Sequence, residues 1–231
     1  MKIRTFLIKF TAEIRQSEIP LFRGAINAIL EENHSILFHN HTDDGFRYSY
    51  PLIQYKRIGG KAAIMCVGEG TEVIGEFFSR QEISLQIGKR SIVCEVDEIV
   101  AKYHNITITE ELIPYRIRKW LPFNSENYET YMKAKGIVEK YQILEKIMTG
   151  NILSMAKGLE MTIETPLCVK LEEIIDTYNV TFKGIKMMSF DLDFMANITM
   201  PDAYIRTRKV SEWKKEGLVI GKRPCVFLIL A

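Results

Sequence analysis

Along the first stretch of chain, apolar and polar positions alternate with a period of two. Residues 2–13 (KIRTFLIKFTAE) read as a strand, with Ile3, Thr5, Leu7, Lys9 and Thr11 on one face and Arg4, Phe6, Ile8 and Phe10 on the other. The second face is the more apolar and is predicted to meet the core. The period then lengthens. Phe22, Ile26, Ile29 and Leu30 share one stripe of a helix, with Ser17 as N-cap and Pro20 in its first turn. Gly24 sits inside that helix, where glycine costs about 1 kcal/mol against alanine. A close approach by other backbone is its expected reason. Strands over 35–39, 47–57 and 61–67 follow, with a turn at 42–45 (TDDG) and a bend at Gly59-Gly60. A second helix is predicted over 71–78, and a second hairpin from 82–87 and 91–103 around Gly88-Lys89-Arg90. Strand–helix–strand–strand–helix–strand is the order of a ferredoxin-like domain, placed at residues 1–103.

The second half is patterned differently. Residues 105–122 are extended, with Arg116 and Arg118 on one face and Tyr115, Ile117 and Lys119 on the other. A long helical region runs from 125 to 159. Ile137, Tyr141, Leu144, Met148, Ile152 and Met155 recur there at steps of three and four, and Gly150-Asn151 is the predicted break. Strands over 166–178, 181–182 and 185–198 complete a second domain at 104–231. The fold class is therefore α+β, in two domains.

Composition narrows the function classes. With 31 basic and 29 acidic side chains in 231 residues, the net charge of +2 excludes a tail-like polycation but not a local basic groove. The charge is uneven. Residues 201–223 carry seven basic side chains against three acidic ones, a local +4 that leaves the rest at −2. No apolar run approaches the ~18 residues of a membrane span. Lys2, Arg4 and Lys9 interrupt any signal-peptide core, so a cytoplasmic protein that meets no membrane is expected. Cys66, Cys94, Cys168 and Cys225 form no metal or disulfide spacing and are expected to be reduced, buried thiols.

Candidate chemistry gathers in one segment. Three of the four histidines, His34, His39 and His41, lie within eight residues, followed by Asp43, Asp44, Tyr48 and Tyr50. His39 and His41 point the same way on an extended chain. Two imidazoles on one face admit three readings. They could ligate a metal with Asp43 or Asp44, His104 being the only other histidine. They could perform acid–base chemistry without metal, deprotonating a ribose 2′-OH and protonating the departing 5′-oxygen, each transfer contributing ~10²–10⁴ in rate. Or they could cap a turn.

Several strings in the chain resemble one family. Phe22-Arg23-Gly24-Ala25-Ile26, Leu37-Phe38-His39-Asn40-His41, Tyr48-Ser49-Tyr50-Pro51-Leu52-Ile53-Gln54-Tyr55-Lys56 and Gly68-Glu69-Gly70 resemble the N-terminal half of CRISPR-associated repeat-processing endoribonucleases. Residues 150–158 (GNILSMAKG) resemble the C-terminal half. The resemblance implies two tandem ferredoxin-like (RRM-like) domains with antiparallel sheets. It implies cleavage of precursor CRISPR RNA within repeats by 2′-OH attack, leaving a 2′,3′-cyclic phosphate, with no metal and no other cofactor. His39, His41 and Tyr48 are then the catalytic candidates: His41 the principal base or acid, His39 sharing or stabilising that role, Tyr48 orienting the 2′-OH or scissile phosphate. Arg23, Gln54, Lys56, Arg57, Arg206, Arg208 and Lys209 are the candidate RNA contacts. The partner is CRISPR repeat RNA, and assembly with other interference-complex subunits or as a homodimer stays open.

One departure stands out. The family's C-terminal glycine-rich loop is not found after Met200-Pro201-Asp202-Ala203-Tyr204; no glycine follows until Gly217. Backbone that approaches phosphate closely needs glycine. A non-catalytic RNA-binding protein of the same fold is therefore the alternative, and a metalloenzyme using His39 and His41 a third reading.

Overall fold

Strand β1 (Lys2–Glu13) is buried on its predicted core face at Ile8, Phe10 and Ala12. On the other face Ile3 and Thr5 are buried too, while Phe6 is only partly so. The single core face read from the sequence is thus incomplete. Thr5 is the register partner of Val67, and Leu7 that of Met65, both buried, so this second face is packed as well. The computed structural model describes residues 1–30, 41–42, 45–46, 50–75, 83–182, 185–200 and 225–226, with only the backbone for 30, 41–42, 45–46, 73, 182, 185 and 225–226. They fall into two units: Lys2–His104, and Asn105–Ala231 together with Met1.

In the first unit, α1 (Ile19–Leu30) follows β1, then β2 (His41–Thr42) and β3 (Gly45–Phe46), β4 (Ile53–Ile58) and β5 (Lys61–Val67). A single turn, α2 (Gly70–Val73), leads to β6 (Ile83–Ile87), β7 (Arg90–Cys94) and β8 (Val96–Asn105). The main sheet has the order β4-β5-β1-β8, which is the ferredoxin arrangement. Phe22 of α1 meets Phe10 and Tyr55 edge-on, with centroids 5.9 and 5.8 Å away.

Several sequence expectations are corrected here. Ser17 does not cap α1; a 3₁₀ turn at Gln16–Glu18 precedes the helix, and the Glu18 carboxylate accepts from the Arg15 amide at 2.7 Å. Gly24 has no close neighbour, and a Cβ there would meet nothing within 4 Å. Of the strand predicted at 47–57, residues 47–49 lie outside the described residues, 50–52 are not in a strand, and β4 begins at Ile53; Pro51 offers no N–H to a ladder. The predicted second hairpin also divides. β6 and β7 form their own two-stranded sheet, and past Glu95 the chain crosses to the main sheet as β8. Ile83, Leu85, Ile87 and Cys94 of that hairpin share one core with Phe22 and Ile26.

The second unit contains β9 (Ile108–Trp120), α3 (Ser125–Lys133), α4 (Ile137–Gly158), β10 (Val169–Phe182), β11 (Ile185–Ile198) and β12 (Cys225–Val226). Its sheet order, β10-β11-β9-β12, repeats the ferredoxin arrangement, although β12 runs parallel to β9. Asn124 caps α3 through the Asn127 amide at 2.8 Å. The helical region breaks at residues 134–136, not at Gly150-Asn151, and Gly136 is the N-cap of α4. Leu144, Met148, Ile152 and Met155 form the buried stripe as predicted, but Ile137, beside the break, is 62% exposed. β10 is one uninterrupted 14-residue strand rather than two.

Lys119 adopts a left-handed φ of +54° within β9. Its amide donates to Asp191 Oδ1 at 2.8 Å, and the register with β11 shifts between Phe190 and Leu192. This bulge resets the strand's alternation, so that Trp120 joins Tyr115 and Ile117 in the core.

Candidate functional site

The described part of the candidate region is the run from Tyr50 into β4. Gln54 is only 6% exposed. Its Nε2 donates to the Tyr50 hydroxyl at 3.0 Å and to the Pro51 carbonyl at 3.2 Å. Pro51 oxygen can only accept, which fixes the orientation of the amide. Among the described residues Gln54 Oε1 is buried with no hydrogen-bond partner, an arrangement that costs about 1–3 kcal/mol.

The other side of the same run is held by backbone. The Val67 amide donates to Leu52 oxygen at 2.8 Å. A Cβ on Gly70 would lie 2.6 Å from that oxygen, so only glycine fits. Gly68 has a φ of +55° and donates to Arg4 oxygen at 2.9 Å. Thr71 Oγ1 donates to Gly68 oxygen and accepts from Arg4 Nε, and Arg4 Nη2 reaches Glu72 at 3.0 Å. The Gly68-Glu69-Gly70 string is therefore a joint beneath Leu52. Its two glycines were visible in the sequence, but Arg4, the distant partner that completes it, was not.

Period-two alternation separates the other candidates. Gln54 and Lys56 lie on one face of β4, and Tyr55 and Arg57 on the other. Arg57 is engaged internally, its Nε donating to Ile14 oxygen at 2.6 Å. Arg23 lies on α1, the side of the sheet to which Tyr55 belongs; Tyr55 hydroxyl donates to Asn27 of that helix at 2.8 Å. Arg23 and Arg57 thus do not converge with Lys56. Lys56 neighbours Ala63, which neighbours Lys9, and Lys9 pairs with Glu98. Burial pushes the Lys56 ammonium down to about 8.

His41 lies in β2, opposite Phe46, and Thr42 lies opposite Gly45 in the same antiparallel pair; Asp43 and Asp44 of the predicted turn lie outside the described residues. The His41 side chain, His39, Tyr48, Arg206, Arg208 and Lys209 lie outside the described residues. Among the described residues no group of three or more His, Cys, Asp or Glu could hold a metal ion, and no helix is long and apolar enough to cross a membrane. Burial pushes the Cys66 and Cys94 thiols up to about 12 and 11, as inert core groups. Cys168, expected to be buried, is exposed.

Two ferredoxin-like sheets in tandem, one bearing a braced strand and a half-buried lysine, define the class. Comparison with known proteins gives the family. Residues 1–105 match the Cas6b N-terminal domain and residues 107–212 the Cas6b C-terminal domain. The chain belongs to the Cas6b family. An uncharacterized protein of Methanocaldococcus jannaschii is 35% identical over 137 residues, which is 57% of this chain and 92% of that one. A crystal structure described as Cas6b superposes with a TM-score of 0.74 at 25% identity, covering 91% of this chain and 95% of that one. Another, described as the CRISPR RNA processing endoribonuclease Cas6b, shares the fold with a TM-score of 0.63 at 22% identity, covering 87% and 90%.

Proposed function

We propose that this protein is an endoribonuclease that processes precursor CRISPR RNA within its repeats, in the cytoplasm. The observation that carries the reading is the match of both halves of the chain to the Cas6b domains. In this reading His41, assisted by His39, takes the proton from a ribose 2′-OH. The oxygen attacks the adjacent phosphorus and the P–O5′ bond breaks. The protonated imidazole of the His39/His41 pair gives a proton to the leaving 5′-oxygen, leaving a 2′,3′-cyclic phosphate and a 5′-OH. Tyr48 orients the reacting groups. Lys56, half-buried and with its pKa lowered, offsets with its ammonium the negative charge that builds on the pentacoordinate phosphorane. No metal takes part in this sequence of steps. Other interference subunits or a second copy are its expected protein partners.

The test is incubation with a cognate repeat RNA in EDTA. Cleavage to a cyclic phosphate that disappears in the His39→Ala/His41→Ala double variant is the expected result. Intact RNA, or cutting unchanged in that variant, overturns it. The absent glycine-rich loop after Met200 favours a second reading, an RNA-binding protein without activity; tight binding without cutting in the same assay would establish that.

A further inference from the structure

We infer that Gln54 is a positioning residue for the cleavage reaction, holding the run 50–52 that leads into β4; this rests on the activity proposed above. Gln54 was expected to touch RNA, yet it is 6% exposed and its amide nitrogen is engaged by Tyr50 and Pro51. Those are the second and third residues after Tyr48. Among the described residues its amide oxygen has no partner, and the hydrogen bonds this side chain makes there are the two that fix that run. An apolar side chain of the same size would fill the space without stranding an acceptor. Stability alone does not account for an amide here.

The run is fixed from the other side as well. Leu52 oxygen accepts from Val67 and sits against Gly70, which has no room for a Cβ. Residues 50, 51 and 52 are each held by a different contact, and Tyr48 stands two positions before the first of them in the chain. A rate that depends on near-attack geometry is sensitive to displacements of about 1 Å, on the order of 10²-fold. Gln54 thereby acts through Tyr50 and Pro51 rather than on the substrate.

Single-turnover cleavage of a repeat RNA by Gln54→Leu, with protein in excess, tests this. The rate constant should fall at least about tenfold, with RNA affinity within about threefold and melting temperature unchanged or higher. Tyr50→Phe, which leaves the Pro51 bond, should lose less, and the double variant no more than Gln54→Leu. The amplitude counts folded, active molecules, whereas the rate constant reports their geometry. A wild-type rate constant in Gln54→Leu, a loss confined to amplitude, or one confined to affinity overturns the role. A wild-type protein that binds without cutting overturns the activity and this role together, while a wild type and a Gln54→Leu variant that cut equally overturn this role alone.

Discussion

Lys56 shows what a single side chain can disclose. In an unfolded chain a lysine holds its proton to about pH 10.4; burial in this fold lowers that to about 8. Between those values the unfolded chain binds more protons, so stability should rise as pH climbs from about 8 to about 10.5 and be least below 8. A phosphate beside Lys56 requires the charged form, so RNA affinity should fall over the range where stability rises. Lys56→Met should therefore raise the melting temperature at pH 7, flatten that pH dependence, and weaken RNA binding by about 10–100-fold, the worth of one charge-assisted contact. Calorimetry and a binding isotherm at pH 7 and 9 check both halves. Lys56 was legible in the sequence as a candidate cation. Its separation from Arg57 follows from strand alternation alone. The engagement of Arg57 by Ile14 does not, because it depends on where β1 ends.

Elements were legible where their pattern is local. The apolar stripe of α4 from Leu144 to Met155 and the Gly59-Gly60 bend stand as read. Boundaries set by distant partners were not. β7 and β8 read as one strand because nothing in their own residues says that Glu95 marks a change of sheet, and of the helix read over 71–78, α2 covers residues up to Val73 while 76–78 lie outside the described residues. The glycines divide the same way. Gly24 and Gly70 look alike in sequence, but one faces open space and the other a carbonyl. Gly24→Ala should stabilise α1 by about 1 kcal/mol, a rise of about 2–4 °C in melting temperature for a chain of this length. Gly70→Ala should lower the melting temperature, because Leu52 must move. Thermal melts of the two variants give opposite signs if this contrast is right.

For the whole molecule, family and fold could be read from the sequence, because the motif strings and the strand–helix order each survive without knowledge of contacts. The catalytic assignment rests on His39, His41 and Tyr48 as residue types in a pattern, and their chemistry awaits the RNA. The near-neutral total divides into a basic segment at 201–223 and a mildly acidic remainder, so RNA affinity should fall with salt through released counterions. Replacing Arg206, Arg208 and Lys209 by alanine should reduce the slope of log K against log salt by about 2 if each meets a phosphate of single-stranded RNA; an unchanged slope removes them from the interface. Elsewhere, β9 reaches only Trp120, opposite Phe190, while β10 and β11 stay paired from there out to Phe182 and Ile185. Among the described residues that outer ribbon is bonded to nothing but itself in the ladder. It can gain or lose matched residue pairs over generations without disturbing the sheet behind it, which makes it the place where relatives of this protein are freest to differ in length.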